Sequence, residues 1–191
     1  MANNLWFREL GYFNNPFSIK PAAFHDKVIG NEELIDEISY GILNNKILLL
    51  DADFGAGKST VLRRVLNDFG GKSKVIYYSC NRIGKRINLK KLLNGRYGIL
   101  GKWFDMKPKD MILLLDEAQE LTKKDYEKIQ SYYEGGYFKA IVLVGVSFDK
   151  NELPENVKEN LKEISIKKLN IDQVMELLKK RVGELPLLKK E

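Results

Sequence analysis

Eight residues, Ala52-Asp53-Phe54-Gly55-Ala56-Gly57-Lys58-Ser59, constrain this chain more than any other part of it. They follow an apolar run, Ile47 to Leu50, that is too short for a helix and reads as a strand buried on both faces. They precede Val61 and Leu62, which open a helical pattern running to Phe69. A strand, a glycine-rich turn and a helix, in that order, predict a phosphate-binding loop. Gly55 and Gly57 let the backbone approach an anion, and the N–H groups of Gly55, Ala56, Gly57, Lys58, Ser59 and Thr60 are expected to line an anion-binding nest. Lys58 places a positive charge near the terminal phosphates, and the Ser59 hydroxyl is a ligand for Mg²⁺. The string departs from G-x-x-x-x-G-K-[ST] at its first position, where Ala52 stands. A methyl group is tolerable there if φ stays negative. A glycine-rich turn with an incidental lysine is the simpler alternative, and the flanking strand and helix weigh against it.

A second string completes the site. Met111 to Leu115 is another buried-strand run, and it ends in Asp116-Glu117. Two acids after so apolar a strand belong at the carboxyl edge of a sheet, where open α/β folds bind ligands. Asp116 is expected to hold Mg²⁺, directly or through water. Glu117 is expected to orient the water that attacks the γ-phosphate. An acid capping the next helix would account for Asp116 alone, but not for the pair.

The rest of the chain alternates in the same way. Asn31 reads as the N-cap of a helix running to Asn44, with Glu32 and Glu33 in its first turn. Strands are expected at Lys74–Ser79, Ala140–Val144 and Ile164–Ile166, and helices at Leu89–Leu93, Lys123–Tyr133 and Asp172–Val182. This order predicts an α/β fold with a parallel sheet flanked by helices. Three regions are expected: residues 1–28, an aromatic segment that must pack on something; 29–182, the nucleotide-binding domain; and 183–191, a tail or a lid remnant.

Composition removes several classes of function. With one cysteine, Cys80, and one histidine, His25, neither an intramolecular disulfide nor a Cys- or His-paired metal motif can form. Any metal chemistry must use oxygen ligands. No apolar run approaches a membrane span, and the first residues lack the pattern of a signal peptide. A cytoplasmic protein is expected. The net charge of +6 permits a nucleic-acid or acidic partner. Residues 82–109 hold nine basic residues and one acid, Asp105, with Tyr97, Trp103 and Phe104 interleaved. That segment is the candidate DNA contact, set against the plain reading of a solvated lysine face.

Several stretches together resemble a known group. They are Gly11 to Ser18, Tyr40-Gly41-Ile42, the loop at 52–59, Leu114 to Leu121 and Ile141 to Gly145. They look like the general secretion pathway A-type ATPases of the AAA+ class, which are similar to transposition-regulator and replication-initiator ATPases. The resemblance runs from about Tyr12 to Val182. It implies an ASCE-type P-loop NTPase that uses ATP and Mg²⁺, with the Asn-Pro-Phe element near the adenine and self-assembly or a protein partner. The lid of that class is expected to be reduced or absent. Two departures stand out. Val146 follows Gly145 where the class usually has a polar sensor, and Ser147 comes one position late. Val157 to Lys162 holds lysines but no arginine, and lysine lacks the planar fork suited to a spreading phosphoryl charge.

The expected activity is therefore slow, Mg²⁺-dependent ATP hydrolysis that controls a DNA or protein assembly. A nucleotide-gated binding module with little turnover competes with it. A small-molecule kinase is a third reading, disfavoured by Glu117, because a kinase need not activate water.

Overall fold

The computed structural model describes residues 6–12, 15–18, 30, 32–81, 86–95, 107–148, 151 and 153–182. The helices are α1 (Trp6–Glu9), α2 (Glu32–Leu43), α3 (Lys58–Asp68), α4 (Leu89–Asn94), α5 (Lys123–Glu134), α6 (Glu155–Glu159) and α7 (Ile171–Val182). The strands are β1 (Ile47–Asp51), β2 (Val75–Ser79), β3 (Met111–Asp116), β4 (Phe138–Gly145) and β5 (Leu161–Ser165).

The strands form one parallel sheet in the order β2-β3-β4-β1-β5. Its three inner strands are those the sequence marks as continuous apolar runs. Leu48, Leu50, Leu113, Leu114, Val142 and Val144 are fully shielded from solvent. Each such side chain contributes about 1.5–3 kcal/mol on burial. Alternate residues feed two core layers. Leu48, Leu50, Ile112, Leu114, Val142 and Val144 pack with α2 and α3. Ile47, Leu49, Leu113, Leu115, Ile141 and Leu143 pack with α4 and α5 on the other face. Gly41 lets α2 lie close on β1, since a Cβ there would stand 2.6 Å from Leu48 Cδ2.

Register aligns the carboxyl ends of all five strands. Ser79 pairs with Asp116, Asp116 with Val144, and Asp51 with both Gly145 and Ser165. The phosphate loop and the acids therefore leave the sheet along one edge.

Several boundaries differ from the sequence expectation. Helix α3 begins at Lys58 rather than Val61, which puts Lys58, Ser59 and Thr60 in its first turn. Strand β5 starts at Leu161, three residues before the apolar triplet that marked it. The short helices α1 and α6 were not anticipated. Asn31, His25 and residues 183–191 lie outside the described residues.

Helix α7 buries only Val182. The N-terminal segment meets that end of the helix. The Tyr12 hydroxyl donates to the Val182 carbonyl at 2.8 Å, and Arg181 Nη1 donates to the Ser18 carbonyl at 3.4 Å. Trp6 stacks on Phe17 with centroids 6.0 Å apart. Helix α1 buries no residue and Phe17 is exposed, and residues 1–5, 13, 14 and 19–29 lie outside the described residues. Among the described residues no helix is long and apolar enough to cross a membrane.

Candidate active site

The loop from Ala52 to Gly57 crosses from β1 to α3. Gly55 and Gly57 have φ of 80° and 89°, the left-handed region that glycine enters freely. A Cβ at either would meet nothing within 4 Å, so conformation rather than space requires glycine there. Ala52 keeps a negative φ, and its methyl is buried in the α2–α3 core layer. The departure at the first position of the motif therefore fills the core without strain.

Two of the six N–H groups expected to line the nest have acceptors within the loop. The Ala56 N–H already donates to Asp53 O at 3.3 Å, and the Thr60 N–H to Gly57 O at 2.9 Å. Among the described residues, the N–H groups of Gly55, Gly57, Lys58 and Ser59 have no acceptor. Four donors and the positive end of α3 make an anion site. Lys58 Nζ reaches back to donate to Ala52 O at 3.1 Å and Asp53 O at 2.9 Å, and lies 5.3 Å from the Phe54 ring centroid. Phe54 itself is 82% exposed. Lys168, in the linker to α7, bonds Asp53 at 2.8 Å and holds its carboxyl below the usual range.

The acids stand at the end of β3, on the sheet face that α3 covers. Asp116 is buried. Its Oδ2 accepts from the Tyr77 hydroxyl at 2.8 Å, and its Oδ1 from the Glu117 N–H at 3.0 Å. Burial, then the Asp116 bond, pushes the Tyr77 phenol far up, so it remains a donor. Glu117 is in the left-handed region, at φ 54° and ψ 42°, where non-glycine residues are rare. It occupies the N-cap position of the 3₁₀ turn Ala118–Glu120, yet its side chain makes no capping bond. Instead Glu117 Oε2 accepts a long bond, 3.4 Å, from the Ser79 hydroxyl. Helix capping therefore does not account for this acid.

At the end of β4, Gln119 Oε1 accepts from the Val146 N–H at 3.3 Å. A Cβ at Gly145 would stand 2.4 Å from both Gln119 Oε1 and Phe148 Cε2, so only glycine fits. Ser147 is exposed, with φ 52°. The sequence reading missed Tyr77, Ser79 and Gln119, whose relation to the acids depends on strand register and a turn. Cys80 is half-buried, and burial pushes its thiol up to about 12.

The donor set fits a hard cation carried by a phosphate tail. Among the described residues no three His, Cys, Asp or Glu side chains cluster as a metal cage. Mg²⁺ needs none, because it takes one or two protein ligands and fills its octahedron with phosphate and water. The Ser59 hydroxyl and the Asp116 carboxylate have the donor chemistry such a cation would take.

Of the basic stretch, Arg86, Lys90, Lys91, Lys107 and Lys109 are described, whereas Tyr97, Trp103 and Phe104 are not. Helix α4 buries Leu89 and Leu93 and exposes Lys90 and Lys91.

No family model matches the sequence, and no curated protein matches it. Solved structures do match. A variant of Thermotoga maritima RuvB aligns with a TM-score of 0.57 at 17% identity, over 82% of this chain and 51% of its own. A structure described as a DNA replication initiation factor aligns at 0.60 and 18% identity, over 94% of this chain and 58% of its own. A chain of an E. coli HORMA:CdnC:Trip13 complex aligns at 0.50 and 15%, over 90% and 74%. The chain thus spans about half the length of RuvB. With the parallel sheet, these likenesses establish the fold as an α/β P-loop NTPase of the AAA+ type.

Proposed function

We propose that the chain binds ATP with Mg²⁺ and hydrolyses it slowly, using nucleotide state to control a DNA or protein assembly. One observation carries the reading: a lysine-bearing loop with free N–H donors and the Asp116-Glu117 pair, the first buried and the second half-buried, leave the same sheet edge, on either side of β4. In this reading the amides of Gly55, Gly57, Lys58 and Ser59 receive the phosphates, while Ala56 and Thr60 shape the loop. Lys58 exchanges its bonds to Ala52 and Asp53 for phosphate oxygens. Ser59 and Asp116 hold Mg²⁺, which when bound neutralises phosphate charge. Glu117 accepts a proton from water as that water attacks the γ-phosphorus. The β–γ anhydride then breaks to give ADP and phosphate. The aromatic segment, tied to α7 through Tyr12 and Ser18, forms a wall on the base side.

The replication initiation factor among the matched structures favours DNA as the controlled partner, reached through the basic stretch. Self-assembly or a protein partner remains within the same reading. Turnover near zero, as in a gated binding module, is favoured by Val146, whose side chain offers no polar group and whose N–H is taken by Gln119.

Phosphate release and ATP binding, with and without DNA, test these readings in wild type, Lys58→Ala and Glu117→Gln. Steady release lost in both variants, with ATP binding kept by Glu117→Gln, supports hydrolysis. Tight binding without release supports the gated module. Transfer to a small acceptor unaffected by Glu117→Gln would make the chain a kinase. No binding in wild type would refute all three.

A further inference from the structure

Edge strand β2 presents alternate side chains toward the end of β3. Its register pairs Tyr77 with Leu114 and Ser79 with Asp116. Tyr77 therefore starts two residues short of Asp116, about 6.6 Å along the strand. Its ring leans over that gap, and its hydroxyl meets Asp116 Oδ2 at 2.8 Å. Among the described residues, Asp116 has no ion-pair partner, and its other oxygen takes only the Glu117 N–H. The carboxylate is 8% exposed, whereas Tyr77 is 45% exposed. The acceptor is thus the far more buried of the two residues. The benefit of the bond falls on the buried carboxylate. One donor on each oxygen fixes the plane of the group, and each oxygen keeps a further lone pair.

We propose that Tyr77 is a positioning residue for the Mg²⁺ site, orienting Asp116 through the phenol hydrogen bond. The proposal rests on the reading of Asp116 as a metal-holding residue. Ligating carboxylates are themselves held by hydrogen bonds, and losing such a partner weakens metal affinity by roughly 10–100-fold. Tyr77→Phe keeps the ring and removes the donor alone. The buried carboxylate loses one of its two donors, so a modest loss of stability is expected and is read from the melts.

The test uses the full chain and a fluorescent ATP analogue, whose affinity is measured in EDTA and across a Mg²⁺ titration. Wild type, Tyr77→Phe, Asp116→Asn and the double variant are compared, with thermal melts of each. In EDTA, Tyr77→Phe should bind the analogue as wild type does. Its half-saturating Mg²⁺ concentration should rise about tenfold. In the Asp116→Asn background the same change should have no further effect, because Tyr77 acts only through that carboxylate. If Asp116→Asn shifts the Mg²⁺ titration and Tyr77→Phe does not, the proposal fails and the reading of Asp116 stands. An undiminished effect of Tyr77→Phe in the double variant also overturns it. If neither single variant shifts the titration, Asp116 is not the metal residue and both fall.

Discussion

Replacing Glu117 tests whether its backbone is strained. At φ 54° and ψ 42° the residue is in a left-handed conformation, which costs an L-residue about 1–2 kcal/mol. Glycine escapes that cost but loses about 0.5–1 kcal/mol more chain entropy than alanine on folding. Glu117→Gly and Glu117→Ala both lose the carboxylate and its 3.4 Å bond from Ser79. Their difference therefore isolates the backbone, and the glycine variant should be the more stable by about 0.75 kcal/mol, the difference between the midpoints of the two costs. In a domain of this size that is about 1–4 °C in melting midpoint. Glu117→Asn should fall between them, because asparagine visits the left-handed region more readily. Thermal and urea unfolding of the three variants provide the measurement, provided the urea slopes agree. Phosphate release should be absent from all three. A glycine variant no more stable than the alanine variant would refute the claim that the turn at Glu117 stores strain.

Gly145→Ala should destabilise the fold by about 1–3 kcal/mol in urea unfolding, through overpacking rather than torsional strain, because its Cβ would stand 2.4 Å from Gln119 Oε1 and Phe148 Cε2. A loss below about 0.5 kcal/mol would mean that this turn yields easily. The Cys80 thiol, pushed up to about 12 by burial, should alkylate at pH 8 orders of magnitude more slowly than in urea, where the thiol returns to about 8.5. The sign for stability follows from that shift. Above about 8.5 the unfolded chain releases a proton that the native state retains. Stability should therefore fall from there toward about 12, and Cys80→Ala should remove that part of the decline; equal slopes in the two proteins would count against the buried-thiol account.

The inner strands were legible because they are buried on both faces, and nothing but apolar residues suits such positions. The edge strand β5 was not. Lys162 and Glu163 interrupt it, as polar residues commonly guard an edge, so its apolar pattern begins three residues late. Helix α3 hid its first turn for a related reason. Lys58, Ser59 and Thr60 are polar residues in that turn, so hydrophobic periodicity registers only from Val61 onward. The two strings that define the site were legible as motifs. Two features of their chemistry were not. A glutamate carries no local signal for a left-handed backbone, so the strain at Glu117 was invisible. The bond from Tyr77 to Asp116 joins residues 39 apart in sequence and exists only through the β2–β3 register.

Strand order explains why the two halves of the site need each other. Neighbouring strands lie about 4.8 Å apart, so with β4 between them the ends of β1 and β3 stand about 10 Å apart. That gap has the width of a phosphate tail and its metal, and among the described residues Lys58 pairs with neither Asp116 nor Glu117. Lys58 instead turns to the carbonyls of Ala52 and Asp53, and the acids turn to Tyr77 and Ser79. Lys58 and Glu117 are thus held by weak or neutral partners that a charged ligand can outcompete, while Asp116 keeps a further lone pair on each oxygen beside its bond from Tyr77. The floor between them is the end of β4, where Gly145 has no side chain and the Val146 amide is committed to Gln119. Charge that develops on a bound phosphate would meet Lys58 and the cation, but no polar side chain from β4. On that geometry, the proposed hydrolysis should be slow for the chain alone and should rise most with a cation supplied from outside.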